Sequence, residues 1–283
     1  MSLIAIEAKI AELIIQLVAA TILHPIKYAQ VLIQLGYKPP PPQEPVLIKH
    51  IVFEHLSLIK TSDGFLGCYR GLSPAVFGLV AANQLPAKII YVAGLDLPEV
   101  NIVTDGEPII ENYMKLCRRD MIVHTLSVFV SYPFHVISIR MMASFIGKEN
   151  AYCSFPSAVA AIYRDNGICG FFHGIMPKLL GDLTCVAITG LLAYHVNKYF
   201  IKTKDLRYYT VPALTIVNSL LTYPMVVVST CMAVAESTMS AGNPPAMPKY
   251  PCWQACWMDL LKNKQLMRGC SLNLRYAGSG TVS

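Results

Sequence analysis

The chain has 283 residues, 54% hydrophobic and only 14% charged, with mean hydropathy +0.47 and a formal net charge of +6. A soluble domain carries about 25% charged residues, so this composition excludes a disordered chain and argues against a soluble enzyme. The positive balance is modest, 23 Lys+Arg against 17 Asp+Glu. It suits attraction to anionic lipid headgroups, and no interleaved basic and aromatic patch of the kind nucleic acid needs is visible.

In chain order, the N-terminus places Glu7 and Glu12 beside an apolar stretch, and the first Arg is Arg70. That is not the Arg-rich, acid-poor pattern of a cleaved transit peptide, nor that of a secretory signal. Residues 13–26, 71–87, 121–139, 183–197 and 208–235 carry no Asp, Glu, Lys or Arg. A span needs about 20 mostly apolar residues. The third and fifth stretches qualify alone; the others qualify if flanking charges snorkel or face a polar interior. Five spans are expected. The eight residues after Arg275 are too few for a sixth. Lys38 to Gln43 reads as a stiff polyproline linker, and Gly242 to Pro251 is similarly rich in proline. Residues 46–60, 152–165 and 252–263 read as short amphipathic helices at the interface. Nine cysteines are scattered without a CxxC pair or a His at ligand spacing, so structural zinc is not expected.

The chain repeats. Tyr69-Arg70-Gly71-Leu72-Ser73-Pro74 recurs as Phe172-His173-Gly174-Ile175-Met176-Pro177, with Met267-Arg268-Gly269 as a weaker third copy. Pro25, Pro133 and Pro224 precede these glycines by 46, 41 and 45 residues. Three units of like build result, each a proline-kinked span, a short helix and a second span. They cover 1–100, 115–200 and 206–283, the last without its second span.

This pattern resembles the mitochondrial carrier family. That family carries P-x-[DE]-x-x-[KR] on each odd helix and a G-x-x-G…[RK]-G motif before each even helix. Asp63 to Gly71 and Asn166 to Gly174 match the second motif. The first is altered. Two residues after the prolines stand Lys27, His135 and Val226; five residues after stand Gln30, Ser138 and Ser229. No acid remains, so the charge pairs that close a carrier's cavity are absent. The departure, with strings such as Val31 to Tyr37 and Pro177 to Asp182, resembles the mitochondrial carrier homologs. The resemblance implies an all-α membrane protein of the outer mitochondrial membrane, multi-pass, with no cofactor. It also implies an insertase for tail-anchored and other α-helical proteins, and a docking site for a truncated BH3-only apoptotic protein.

The residues add their own argument. Positions −9, −6, −2, +2 and +5 from each proline share one helical face. Twelve of these fifteen are polar: Gln16, Lys27 and Gln30; His124, Ser127, Ser131, His135 and Ser138; Thr215, Asn218, Thr222 and Ser229. A carrier-like bundle would turn this face inward, although single Ser and Thr residues often bond their own backbone. Five helices of a six-helix barrel leave one side open. A polar groove facing lipid sideways would lower the cost of moving a client's hydrophilic end through hydrocarbon. The groove candidates are Lys27, Gln30, His135, Arg140, Asp182, Asn218 and Tyr223. Lys27, Gln30, Asp182 and Tyr223 rest partly on the resemblance, and the others on the polar stripe. Asp182 could equally satisfy helix N-terminal amides or pair with Lys178, and Lys27 could snorkel. No catalytic constellation is visible. The expected partners are α-helical clients and lipid. The rival readings are a solute carrier, which the lost gate opposes, and a scaffold or receptor, which would not need the polar row.

Overall fold

The computed structural model describes residues 3–38, 51–95, 97, 110–201 and 203–270. They form eight α-helices: α1 Leu3–Gln34, α2 Ile51–Gly67, α3 Leu72–Val92, α4 Ile110–Gly147, α5 Phe155–Asn166, α6 Ile175–Tyr199, α7 Lys204–Val234 and α8 Trp253–Lys262. Five helical stretches among the described residues are long and apolar enough to cross a membrane. These are the five expected from the charge-free stretches, with longer bounds. α4 begins well before residue 121 because its charged first turns extend the helix past what a 30 Å hydrocarbon core requires. α6 begins before residue 183 because Lys178 and Asp182 neutralise one another one turn apart inside the helix. The linker at 39–43 and the question of a sixth span after Arg275 lie outside the described residues. Helices stand at α2, α5 and α8, close to the three short ones expected.

α1, α4 and α7 run straight through Pro25, Pro133 and Pro224, each of which removes one backbone hydrogen bond from its helix. The prolines also divide these helices by burial. Tyr28, Ala29, Val31, Leu32 and Leu35 on α1, Val136 to Phe145 on α4, and Val227 to Ala235 on α7 are all buried. Apart from Ala29, which packs with Ile33 and Val52, their apolar members converge with residues from α2, α5 and α8 into one core. On the other side of the prolines, no described side chain of α1 before His24 is buried, and of the described side chains in the first half of α7 only Thr210 and Asn218 are buried. The bundle is therefore packed shut at one end and loose at the other. Within it, small residues allow close approach: Gly181 lies against Met225 of α7, and Gly78 against Phe134 of α4.

The proline-rich stretch after α7 is not the free linker its composition suggests. Met239, Ala241, Met247 and Tyr250 are buried in the core. Burying these side chains outweighs the extended preference of the flanking prolines.

One contact recurs three times and closes the packed end. Gly71, Gly174 and Gly269 all adopt left-handed backbone, with φ +82°, +82° and +79°. The residue before each proline reaches the carbonyl just ahead of its glycine. His24 Nε2 lies 3.0 Å from Arg70 O, while Tyr132 donates to His173 O at 2.9 Å and Tyr223 to Arg268 O at 3.2 Å. The residue five beyond each proline then takes the glycine carbonyl of a neighbouring unit. Ser138 donates to Gly71 O at 2.8 Å, Ser229 to Gly174 O at 2.8 Å, and Gln30 Nε2 to Gly269 O at 3.0 Å. The last bond joins the beginning of the described chain to its end.

A Cβ on Gly174 would lie 2.6 Å from Ser229 O, whereas a Cβ on Gly94, at φ +62°, would meet nothing within 4 Å. Gly94→Ala should therefore carry only the left-handed penalty of roughly 1–2 kcal/mol. Gly174→Ala should add a backbone clash and lower the thermal midpoint in detergent further than Gly94→Ala. Equal midpoints would show that the clasp bears no load.

Candidate functional site

At the boundary between the packed and loose ends lies a cluster of ionisable side chains from α1, α4 and α6. Asp182 accepts from Lys178 Nζ at 2.9 Å and lies 3.2 Å from His124 Nε2. Its side chain is 16% exposed, against 28% for Lys178 and 44% for His124. Lys27 is exposed and His135 half-buried. Lys27, Lys178 and Asp182 stand near enough to His135 for all three charges to act on it, and Lys178 acts on Lys27. Lys27 itself has no hydrogen bond or ion pair among the described residues. An accessible cation thus stands close to charged groups of two other helices, and the cluster forms a charged floor above the packed end. The floor holds two lysines and two histidines against one aspartate, so its balance is positive.

Among the candidate residues, Lys27, His135 and Asp182 come together on this floor. The other four are placed in contacts between elements. Arg140 is 0% exposed, its Nε donating to Ala233 O at 2.9 Å and its guanidinium reaching Asn166 Oδ1 at 3.3 and 3.4 Å. Asn218, 1% exposed, donates to Thr189 of α6 at 2.9 Å. Gln30 and Tyr223 belong to the clasp, and Gln30 Nε2 also lies 3.3 Å from Tyr223 Oη.

The polar row as a whole divides in the same way. Gln16 accepts from Asn83 of α3 at 3.0 Å, and Ser127 donates to Ala82 O at 3.2 Å. Ser131, Thr215 and Thr222 bond their own helix one turn back. His124 pairs with Asp182, while Lys27 and His135 at the +2 positions stand in the floor without such a use.

Gln34 is the residue that the sequence reading passed over. It donates to Tyr223 Oη at 2.8 Å and accepts from Thr230 at 3.0 Å, pinning α1 to α7. Its signal was its place four residues after Gln30, on the same helical face. Arg268 was noticed only as part of a weak repeat. It is buried, with Nη1 on Gln265 Oε1 at 3.0 Å and Nη2 3.0 Å from Cys231 Sγ. Outside the spans, the Asp259 carboxylate accepts from Tyr250 Oη at 2.6 Å, and burial beside it pushes the Tyr250 phenol well above its ordinary pKa.

The profile of the family described as mitochondrial carrier protein matches residues 6–87 and 121–204. The chain belongs to the mitochondrial carrier family. It is 33% identical to mitochondrial carrier homolog 2 of Homo sapiens over 269 residues, 89% of each chain. It is 31% identical to mitochondrial carrier homolog 1 of Mus musculus over 288 residues, 91% of this chain and 74% of that one. The chloroplastic nicotinamide adenine dinucleotide transporter 1 of Arabidopsis thaliana is more distant, 24% identical over 155 residues, 53% of this chain and 46% of that one. This places the chain beside the divergent homolog branch of the carrier family. Membership and the five apolar helices together point to a multi-pass mitochondrial membrane protein.

Replacing Tyr223 by Phe in this carrier relative leaves the Arg268 carbonyl and the Gln34 amide short of a partner. The expected cost is about 1–3 kcal/mol, read as a lower unfolding midpoint in detergent. Tyr209→Phe, at an exposed position, is the comparison and should change it little.

Proposed function

We propose that this chain is an insertase of the outer mitochondrial membrane, taking tail-anchored and other α-helical clients through a basin over the Lys27–His135–Asp182 floor. The observation that carries the reading is the charged floor combined with the loose side of the bundle. Among the described residues, α1 and α7 are tied through Gln30, Gln34, Tyr223, Thr230 and Cys231, all at the packed end. Toward the loose end, Ile10, Ile14, Ile15 and Ile22 of α1 and Ile216, Val217, Leu220 and Leu221 of α7 are exposed. A client's hydrophilic end can travel over the basin while its apolar helix leaves sideways into lipid. That transfer is downhill without nucleotide or redox cofactor.

The changed gate supports the same reading. Where carriers keep acids two residues after each proline, this chain has Lys27, His135 and Val226, and the positions five residues after serve the glycine clasps. No charge pair is left at these six positions to open and close, which opposes a solute carrier. In this proposal the three units are 1–100, 115–200 and 206–283, with α2, α5 and α8 seated at the membrane interface. Docking of a BH3-only apoptotic protein rests on the family resemblance alone.

The test is insertion of a tail-anchored client into liposomes holding the purified chain, scored by protease protection. Asp182→Arg leaves Lys178 and His124 facing a third cation. An uncompensated charge at membrane depth costs about 2.5–3.5 kcal/mol, so insertion should fall by about tenfold or more. Lys27→Glu should alter insertion by reversing the charge of the floor. Unchanged insertion by both folded variants would remove the basin from the mechanism.

A further inference from the structure

A buried polar pin fastens the loose end of the bundle. Asn197 Nδ2 donates to Tyr113 Oη at 2.8 Å, and Thr210 Oγ1 donates to Asn197 Oδ1 at 2.7 Å. All three residues are buried. The pin joins the start of α4, the end of α6 and the start of α7. Cations that the sequence spreads over almost a hundred residues are thereby gathered within two helical turns of one point: Lys115, Arg118 and Arg119 on α4, Lys198 on α6 and Arg207 on α7. The acids on the same turns whose side chains are described are Glu111, bonded to Lys115 at 2.7 Å, and Asp120. Arg118 and Lys198 are exposed.

Aromatic rings share this level. Tyr199, Phe200, Tyr208 and Tyr209 are all more than 60% exposed. Lys198 Nζ lies 5.4 Å and 5.5 Å from the ring centres of Tyr194 and Tyr199, and donates to Tyr194 Oη at 3.1 Å. Tyrosines at the ends of spanning helices mark the headgroup level of a bilayer. Basic groups held at that level attract anionic lipid.

We propose that this collar of cations and rings binds the anionic phospholipid headgroups of the leaflet at the loose end. Lipid suits the collar better than an acidic protein segment, because exposed rings and exposed apolar residues such as Leu206 are interleaved with the cations at the ends of spanning helices. The binding surface is separate from the Lys27–His135–Asp182 floor and does not depend on the insertase reading.

The test uses the full chain in phosphatidylcholine vesicles with a trace of spin-labelled phosphatidylserine or phosphatidylcholine. Electron paramagnetic resonance reads the motionally restricted fraction of each. The chain should restrict phosphatidylserine several-fold more strongly than phosphatidylcholine, less so in high salt. The combined variant Arg118→Gln, Arg119→Gln, Lys198→Gln should lose most of that preference, at up to about fivefold per cation removed. Lys60→Gln with Lys262→Gln, exposed positions on α2 and α8 at the packed end, should keep it. Circular dichroism confirms that each variant is folded. The proposal is overturned by equal restriction of the two lipids in the unmodified chain. It is also overturned if both variants lose the preference equally, or if a soluble acidic peptide is bound while the lipid preference is absent.

Discussion

Everything at the packed end hangs on three carbonyl groups. At Gly71 and Gly174 a left-handed glycine turns the chain from a short helix into the next span, its carbonyl standing at the mouth of that helix. A carbonyl has two lone pairs, so each can take a side chain from elsewhere beside any backbone partner. Ser138, Ser229 and Gln30 donate to Gly71, Gly174 and Gly269, each from a neighbouring unit. These three bonds make the units hold one another in a ring. At Gly71 and Gly174 glycine is required twice over, by its backbone angle and by the carbonyl lying where a Cβ would stand. At the third clasp a glutamine takes the place of serine.

This arrangement gives the gate positions of the family a second meaning. The residues five beyond the prolines are the basic half of the carrier motif in the family pattern. Here they are neutral and fully occupied by static hydrogen bonds. The residues two beyond the prolines are released from pairing, and two of them, Lys27 and His135, are left on the basin floor. Loss of the family's ionic gate and retention of charge at the +2 positions are thus one change seen at neighbouring positions of the same helices.

Much of this architecture was legible in the sequence, and the limits of legibility have physical causes. The spans followed from runs without charge, and the units from the spacing of Pro25, Pro133 and Pro224 to Gly71, Gly174 and Gly269. Family membership followed from the same spacing. Lys27, His135 and Asp182 could be picked out because ionisable groups at membrane depth are rare. What the helical register could not tell was direction around the bundle. It put Asn218 and Gln30 on the inward face, but an inward face also borders two neighbouring helices, and both residues turn sideways to donate across 29 and 239 positions of chain. Arg140 was ambiguous for another reason: a cation near a helix end can snorkel, or it can bury itself on backbone carbonyls, as it does on Ala233. The folded stretch from Met239 to Tyr250 was hidden by its prolines, which advertise extended chain whether or not the side chains between them are buried.

The division of α1 by Pro25 has a mechanical side. Beyond the proline the helix is set in the core; before His24, about twenty residues, or some 30 Å of helix, stand with none of their described side chains buried and with Gln16–Asn83 as a polar tie to α3. This is a lever arm clamped at one end. A tilt of only 10° at the clamp carries its tip about 5 Å, half the width of a helix, while the clasped glycines and the basin floor stay where they are. In the insertase proposed above, bending this one helix sets the width of the opening between α1 and α7 without repacking the protein.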